Sequence, residues 1–256
     1  MSSLGNLRNT FTLSTAKGAS WARSQEEFQA RINAQNADWY ENFRFDNGSS
    51  TRGRSPSSRK LEALMLPRNL EGYSLLDIGA YEGFYSFHME QRGASVTAND
   101  FFVWQDSVSP ALAHFNFFRE ALQSEVVVHE ADIDSLSVGG HDIVLFLGVL
   151  YHLEDPIGAL RHVRKSAKKL VVIETLVDLM DVPGDAVAFY SGSSLNGDST
   201  NVFGPNLAAL AGMLARSGFQ SWEVRCMWEF NTVNALRGER SLSPLKSGRV
   251  VIHATP

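Results

Sequence analysis

Two glycines that follow a short apolar segment carry the first candidate chemistry of the sequence. The segment LLDIGAYEGFYSFHMEQRGASVTAND contains Gly79 and Gly83 and ends in Asp100. Glycines allow a chain to turn tightly after a strand and let its backbone approach a ligand at a helix N-terminus. Asp100 lies 23 residues after Asp77, where a carboxylate can accept hydrogen bonds from both hydroxyls of an adenosine ribose. This spacing predicts a site for a nucleoside-bearing cofactor.

The residue between the two glycines argues against a dinucleotide. A nicotinamide or flavin fingerprint reads G-x-G-x-x-G, and Tyr81 occupies the position of its middle glycine. A nucleoside without a pyrophosphate tolerates a side chain there. We therefore predict that the cofactor contacts residues of the strand end and the turn, namely Asp77, Gly79, Ala80, Tyr81 and Gly83. A glycine turn that serves only strand-to-helix packing is the alternative.

Two later segments place further candidate residues after apolar runs. Asp132 follows the run EVVVHEA, so its carboxylate can accept from an adenine amino group while Ile133 flanks the ring. The segment HDIVLFLGVLYH places Gly148, Tyr151 and His152 at the carboxyl edge of a strand, where open α/β sheets bind ligands. These positions predict one pocket, although a solvated turn acid is the alternative for Asp132.

The elements that position these residues follow from an alternation of apolar runs and helical patterns. The runs YSLLDIG, ASVTAND, EVVVHEA, HDIVLFLG, KLVVIET and RVVIHA are nearly continuous, as is typical of strands buried on both faces of a sheet. Helices are predicted at about 83–92, 108–123, 155–167 and 206–217, with a further strand at 221–230. The pattern predicts a doubly wound, Rossmann-like α/β fold.

The residues before this pattern predict an N-terminal layer, at 1–58. Residues 1–22 are polar and rich in serine and threonine, which predicts a flexible leader or a loosely docked arm. Over 24–45 the apolar residues recur at near-helical spacing and predict one or two helices: Phe28, Ile32, Trp39, Tyr40 and Phe43. Trp39, Tyr40 and Phe43 are expected to close over the site as a lid, although plain packing is the commoner role of such a stripe.

The remaining residues, 59–256, are predicted to form the catalytic domain. After the fifth predicted strand the chain has a long insertion at about 178–205, and long ordered loops at that edge commonly hold substrate. The best acceptor contacts in this insertion are Tyr190, Asn201 and Phe203.

Composition limits the partners. The 23 Lys and Arg against 28 Asp and Glu give a formal charge of -5, which provides no global positive field for a phosphate backbone. Nucleic acid is therefore disfavoured but stays open. The single cysteine excludes an internal disulfide, and the seven histidines are scattered, so no metal is predicted. No apolar run approaches the roughly 20 residues of a membrane span, and the first residues lack a signal-peptide core, which predicts a cytoplasmic protein without a membrane partner.

Several motifs in order resemble a known family. LDIGAYEG, AND, ADI and FLGVLYHLEDP resemble class I S-adenosylmethionine-dependent methyltransferases. GVLYH, ETLV, PGD, NVFGPN and LARSGF resemble the broad bacterial family that includes the tRNA wobble-uridine carboxymethyltransferase. The resemblance runs from about residue 75 to residue 219. It implies a Rossmann-like methyltransferase fold, S-adenosylmethionine as the cofactor and S-adenosylhomocysteine as its product.

The resemblance also implies roles for individual residues. Gly79 would carry the cofactor-loop role, Asp100 the ribose role, and Ile133 with its neighbouring acids the adenine role. Tyr151 would line the transfer pocket, and Arg249 resembles an arginine that the RNA-modifying relatives use at their donor site.

One departure bears on the donor. Those relatives recognise a carboxylated donor with lysines upstream of the glycine loop, whereas this chain has no lysine between Lys17 and Lys60. A plain methyl donor is therefore expected.

Methyl transfer from a sulfonium needs alignment first and a base second. His152 is the first candidate for the base, and a histidine that only bonds a backbone carbonyl is the alternative. Glu174, at the end of KLVVIET, is a second base or an acceptor contact, unless it caps the following segment. The expected reaction is methyl transfer to an oxygen or nitrogen of a small-molecule acceptor, such as a natural product or a sugar. A tRNA wobble-uridine enzyme and a non-catalytic cofactor-binding protein are the alternatives.

Overall fold

The computed structural model describes residues 11–35, 38–136, 139–195, 197–229 and 246–256. Their contacts divide the chain into two compact units, Met1–Asp132 and Ile133–Pro256. The predicted division between residues 58 and 59 is a different one and stays a prediction.

Unit 1 alternates strands and helices in the way that a parallel sheet requires. Its elements are α1 (Ser20–Arg23), α2 (Gln25–Ala34), α3 (Ser57–Ala63), β1 (Ser74–Ile78), α4 (Phe84–Gln91), β2 (Ser95–Asn99), α5 (Ala111–Leu122) and β3 (Val127–His129). β1 pairs with β2 and β2 with β3, in both cases parallel. Helices α4 and α5 are the crossovers, because parallel neighbours cannot be joined by a hairpin.

Unit 2 combines one parallel pair of strands with three antiparallel pairs. Its elements are β4 (His141–Leu147), α6 (Pro156–Ser166), β5 (Ala167–Val177), β6 (Val187–Phe189), β7 (Phe203–Pro205), α7 (Leu207–Arg216), β8 (Ser221–Glu229) and β9 (Gly248–Thr255). β4 pairs parallel with β5, and β9 lies antiparallel between β5 and β8. The predicted insertion at 178–205 contains the antiparallel hairpin of β6 and β7. The α/β prediction is confirmed in both units.

The helices of unit 2 begin where the sequence supplies caps. The Asp155 side chain accepts from the backbone N–H of Gly158 at 2.9 Å, and Pro156 takes the first helical position, where a missing N–H costs nothing. The Asn206 side chain caps α7 in the same way, with 2.9 Å to the N–H of Ala209. The caps place the start of α6 after the loop that contains His152, and the start of α7 directly after β7.

The aromatic residues 38–45 after α2 are not helical, so the prediction of helix over 24–45 is wrong for them. Burial alternates along this segment: Trp39, Glu41, Phe43 and Phe45 are buried, whereas the residues between them are more exposed. Trp39 and Phe43 are four residues apart, which fits a helical period and a strand period equally. The alternation of buried and exposed residues is not visible in the sequence, because the buried position 41 is occupied by a glutamate.

The prediction of a loosely docked N-terminal arm is wrong for residues 11–22; residues 1–10 lie outside the described residues. Leu13 is 1% exposed and its backbone N–H donates to the carbonyl of Arg44 at 2.8 Å. Asp46 accepts from the hydroxyls of Ser14 and Thr15 at 2.6 and 2.7 Å. The serine and threonine that suggested a solvated arm instead pair with one carboxylate.

Candidate functional site

The glycine turn follows β1 in unit 1 and needs its glycines for backbone geometry and for space. Gly79 has φ +79°, a conformation that costs a side chain energy. A Cβ added at Gly83 would lie 2.5 Å from the ring of Phe87 and 2.6 Å from that of Phe115. The turn therefore packs directly on the hydrophobic core of unit 1.

The turn is fixed by hydrogen bonds to the end of β2. The backbone N–H groups of Gly79 and Ala80 both donate to the carbonyl of Asn99, at 2.8 and 3.1 Å. Tyr81 has φ +52°, a left-handed conformation for a residue with a side chain, and its carbonyl accepts from the indole N–H of Trp104 at 2.8 Å. A strained residue held by surrounding bonds is a feature of binding sites.

Asp100 lies against this turn, as the spacing predicted. Its two carboxylate oxygens accept from the backbone N–H groups of Tyr81 and Val103 at 3.0 and 3.2 Å. Burial raises the pKa of Asp100, and these backbone hydrogen bonds offset part of the rise. A carboxylate has about four acceptor positions, so Asp100 retains capacity for ligand hydroxyls. Its contact with ribose stays a prediction.

Asp77 lies deeper, within β1. It is 1% exposed and accepts from the hydroxyl of Ser86 at 2.6 Å, which joins β1 to α4. Burial raises the pKa of Asp77 to about 7, against the lowering effect of the Ser86 hydrogen bond. Its described bond supports the packing beneath the turn, and its predicted contact with the cofactor stays a prediction.

Sequence reasoning missed Glu82, which lies in the turn itself. Glu82 is 1% exposed, and its carboxylate accepts from the backbone N–H groups of Tyr40 and Glu41 at 3.2 and 2.8 Å. It also bonds Nδ1 of His114 at 2.9 Å, and the His114 ring packs on Trp39 with centroids 4.0 Å apart. Trp39 is therefore packed in the core rather than poised as a lid. An acid between two turn residues looks solvated in a sequence, so no local signal revealed this network.

The residues after β3 are held near the same turn. The Asn99 side chain donates to the carbonyl of Ala131 and accepts from its N–H, both at 3.1 Å. Asp132 follows directly and is exposed, and Ile133 begins a single turn of helix in unit 2. Their predicted adenine contacts stay predictions.

In unit 2, four predicted residues form a cluster after the end of β4, in which Glu174 of β5 and Arg249 of β9 are buried and Gly148 and Tyr151 are half-buried. Gly148 follows β4 with φ +75°, and its N–H donates to the carbonyl of Glu174 at 2.9 Å. Arg249 holds both carboxylate oxygens of Glu174, at 2.6 and 2.5 Å, and its guanidinium lies 4.7 Å from the centre of the Tyr151 ring. The structure thus brings Gly148, Tyr151, Glu174 and Arg249 together.

The ion pair in this cluster changes the role expected for Glu174. Burial alone would lower the pKa of Arg249, but Glu174 and Tyr151 outweigh it and raise that pKa above its ordinary value. Arg249 is therefore always charged, and a guanidinium that forks onto both oxygens stabilises the Glu174 carboxylate. This geometry does not support Glu174 as a free base. Acceptor binding by Arg249 stays a prediction, and Arg249 lies within β9.

His152 has the geometry of a base with a fixed tautomer. Its Nδ1 lies 3.0 Å from the carbonyl of Thr200 and 2.9 Å from the hydroxyl of Thr200, which itself donates to Asp198 at 2.7 Å. Because a carbonyl can only accept, Nδ1 carries the proton and Nε2 carries the lone pair. Burial lowers the pKa of His152, so the ring is neutral at pH 7. The carbonyl bond expected of a structural histidine is thus present, and it produces the tautomer that a base requires.

The insertion residues predicted to contact the acceptor are bonded within unit 2. The Tyr190 hydroxyl donates to Asp178 at 2.6 Å, and burial together with this carboxylate raises the pKa of Tyr190 above its ordinary value. Asn201 and Phe203 are each 5% exposed. Contacts of these three residues with an acceptor stay predictions.

Among the described residues, no group of three or more His, Cys, Asp or Glu side chains is arranged to hold a metal ion. None of the helices in the described part of the chain is long and apolar enough to cross a membrane.

A family model described as a methyltransferase domain matches residues 35–224. The chain belongs to the methyltransferase domain family. The resemblance to class I S-adenosylmethionine-dependent methyltransferases is thereby confirmed, and so are the enzyme class and S-adenosylmethionine as the cofactor.

Curated relatives resemble a large part of this methyltransferase. The tRNA U34 carboxymethyltransferase of Sulfurimonas denitrificans is 29% identical over 171 residues, which cover 66% of this chain and 55% of the relative. That of Dichelobacter nodosus is 33% identical over 162 residues, 59% of this chain and 47% of the relative. The chain spans about half the length of the curated relatives it matches.

Solved structures show the same fold. The N-terminal domain of EvdMO1 with SAH bound has a TM-score of 0.62 at 18% identity and covers 93% of this chain and 99% of its own. An S-adenosylmethionine dependent methyltransferase from Mesorhizobium loti has a TM-score of 0.54 at 17% identity, covering 79% of this chain and 99% of its own. The prediction of a Rossmann-like methyltransferase fold is confirmed.

Proposed function

We propose that this methyltransferase transfers the methyl group of S-adenosylmethionine to the wobble uridine of tRNA. The observation that carries the proposal is the similarity to proteins named tRNA U34 carboxymethyltransferase, which extends over 171 residues at 29% identity. The expected acceptor was a small molecule, and tRNA was the alternative. These relatives favour tRNA.

The donor half of the reaction belongs to unit 1. S-adenosylmethionine, when bound, supplies an electrophilic methyl group on a sulfonium. The turn from Gly79 to Gly83 presents its backbone, and Asp100 presents carboxylate oxygens that suit ribose hydroxyls. The buried bonds from Asp100 to Tyr81 and Val103 hold that carboxylate in place before the donor arrives. This preorganisation fits a nucleoside donor because little rearrangement is needed on binding.

The base of the reaction is His152 in unit 2. Nε2 takes the proton from the accepting O–H or N–H group as the new bond to the methyl carbon forms and the carbon–sulfur bond breaks. Thr200 and Asp198 keep Nδ1 as the donor, so Nε2 keeps its lone pair. A general base contributes about 10²- to 10⁴-fold, and alignment of the two reactants contributes more.

A plain methyl group is the better candidate for the transferred group than a carboxymethyl group. The carboxymethyl-transferring relatives that the sequence resembles recognise their carboxylated donor with lysines upstream of the glycine loop, and this chain has no lysine between Lys17 and Lys60. Arg249 is buried and already holds both oxygens of Glu174, so its charge is compensated within the protein.

Methyl transfer to an oxygen or nitrogen of a small molecule is the second candidate function. The formal charge of -5 favours it, because a protein with a net negative charge repels a phosphate backbone at long range.

The deciding experiment incubates the purified protein with labelled S-adenosylmethionine and tRNA from cells that lack wobble-uridine modification. A parallel incubation supplies the carboxylated analogue of S-adenosylmethionine instead, and mass analysis of the digested nucleosides identifies a methyl group in the first case or a carboxymethyl group in the second at position 34. Methylated uridine at that position supports the proposal, and its loss in the D100A variant assigns the activity to the donor site. Label in a pool of small molecules but not in tRNA contradicts the first candidate and supports the second.

A further inference from the structure

Tyr40 presents an aromatic ring beside the cofactor turn of unit 1. The side chain is 36% exposed, and its ring meets the edge of the Tyr81 ring with centroids 5.5 Å apart. Tyr81 is the turn residue whose backbone N–H bonds Asp100. The ammonium group of Lys60 lies 5.5 Å from the centre of the Tyr40 ring. An exposed ring with a cation above it therefore lies next to the donor site.

Positive charge is concentrated in the residues that follow. Residues 44–60, here called the basic segment, contain five cationic side chains and one carboxylate: Arg44, Arg52, Arg54, Arg59, Lys60 and Asp46. The four arginines are exposed. The carboxylate of Asp46 is taken up by the Ser14 and Thr15 hydroxyls. This concentration contrasts with the formal charge of -5 for the whole chain.

Residues 51–55 of the basic segment are held against residues 40–43 by backbone hydrogen bonds, from Thr51 to Phe43 and from Ser55 to Tyr40. A Cβ added at Gly53 would overlap the backbone carbonyl oxygen of Glu41, so the two backbones pack closely. The Asn42 side chain donates to the carbonyls of Gly53 and Ser55 at 2.6 and 2.7 Å. Arg52 and Arg54 are thus exposed side chains on a backbone whose position is fixed, and the Arg54 guanidinium also lies 3.4 Å from the exposed Asp38 carboxylate.

Two buried carboxylates fix the backbone at Tyr40. Glu82 accepts from the N–H groups of Tyr40 and Glu41, and the hydroxyl of Ser57 donates to Glu41. Buried carboxylates are costly unless they are fully bonded. Through these bonds, Glu82 connects the cofactor turn to the backbone of Tyr40, and Glu41 connects the same backbone to Ser57 of the basic segment. The three parts therefore form one preorganised surface.

We infer that Tyr40 and the basic segment bind the RNA strand that carries the acceptor base, with a base stacked on Tyr40 and phosphates on Arg52 and Arg54. The inference rests on the proposed function and adds the surface by which the acceptor is held. Single-stranded RNA binds to surfaces of this composition because aromatic rings stack on bases while cations follow the backbone. The long-range repulsion from the net charge is thereby overcome locally.

The experiment measures binding of unmodified tRNA to the full chain by fluorescence anisotropy over a series of salt concentrations. The R52A/R54A variant should bind more weakly than the wild type. Its log–log salt dependence should be shallower by about 1.4, because each phosphate that the protein neutralises contributes about 0.7 to the slope. The Y40L variant should bind about 5- to 150-fold more weakly, whereas Y40F, which keeps the ring, should bind like the wild type. Affinity for S-adenosylmethionine should stay unchanged in all three.

The matched control is R161A/K165A, which removes two exposed cations from α6. If the wild type binds tRNA and R52A/R54A loses no more affinity than this control, the inferred surface is wrong while the proposed function stands. If Y40F binds as weakly as Y40L, stacking on Tyr40 is wrong. If the wild type does not bind tRNA at all, both the inferred surface and the proposed function are overturned.

Discussion

Replacing Asp77 with Asn is expected to remove a specific part of the pH dependence of stability. Burial raises the pKa of Asp77 to about 7 from an ordinary value of 3.8, so the native state binds this proton more tightly than the unfolded chain does. The contribution of Asp77 to the free energy of unfolding therefore falls as the pH rises from 3.8 to about 7. At about 1.36 kcal/mol per pKa unit, the whole effect is about 4 kcal/mol, of which about 3 kcal/mol lies between pH 5 and pH 8.

The assay is urea unfolding of the wild type and D77N at pH 5 and pH 8, without donor. D77N should gain about 3 kcal/mol relative to the wild type on going from pH 5 to pH 8. The comparison isolates Asp77 because other buried groups, such as His88 with a pKa lowered to about 3, titrate alike in both proteins. S86A is the matched control: it removes the hydroxyl bond that lowers the Asp77 pKa, so its transition should move to higher pH. The same pH dependence in D77N and the wild type, within 1 kcal/mol, would refute the reasoning.

Two further predictions concern unit 2. H152Q should lower kcat by about 10²- to 10⁴-fold without changing the affinity for the donor. Because burial lowers the pKa of His152 below 6.5, the kcat of the wild type should fall only below pH 6.5. If kcat of H152Q fell with acid pH in the same way as that of the wild type, His152 would not be the base. E174Q should destabilise the protein by about 3–5 kcal/mol because it leaves the Arg249 charge buried without its partner, whereas the E174M/R249M double variant should recover most of that loss. Denaturant unfolding measures the stability of E174Q and of E174M/R249M, and equal stability of E174Q and the wild type would show that the ion pair contributes little.

The parts of the site that the sequence predicts well are those built within one strand–turn–helix unit. Gly79, Gly83 and Asp100 were found because a parallel pair of strands fixes how far apart the turn and the next strand end lie in the chain. The resemblance added Arg249, and the structure places it in one cluster with Tyr151, which the strand pattern had already indicated.

The parts that the sequence could not predict depend on partners far apart in the chain. The Glu82–His114 bond joins residues 32 apart, and the Arg249–Glu174 pair joins residues 75 apart. Both acids look like solvated loop or edge residues until the fold brings a donor to them. Residues 38–45 were predicted as helix because Trp39 and Phe43 fit the period of a helix as well as that of a strand. The burial of Glu41 between them has no local signal in the sequence.

The measurement that tests the central claim most directly is isothermal titration of the wild type, D100A and E71A with S-adenosylmethionine. Glu71 is an exposed acid of the same unit and serves as the matched control. A hydrogen bond to a charged group contributes about 1.5–3 kcal/mol, so loss of even one bond from the Asp100 carboxylate should weaken binding by about tenfold or more. The account predicts that the wild type and E71A bind S-adenosylmethionine alike and that D100A binds at least about tenfold more weakly. Equal binding by D100A, or no binding by the wild type, would contradict it.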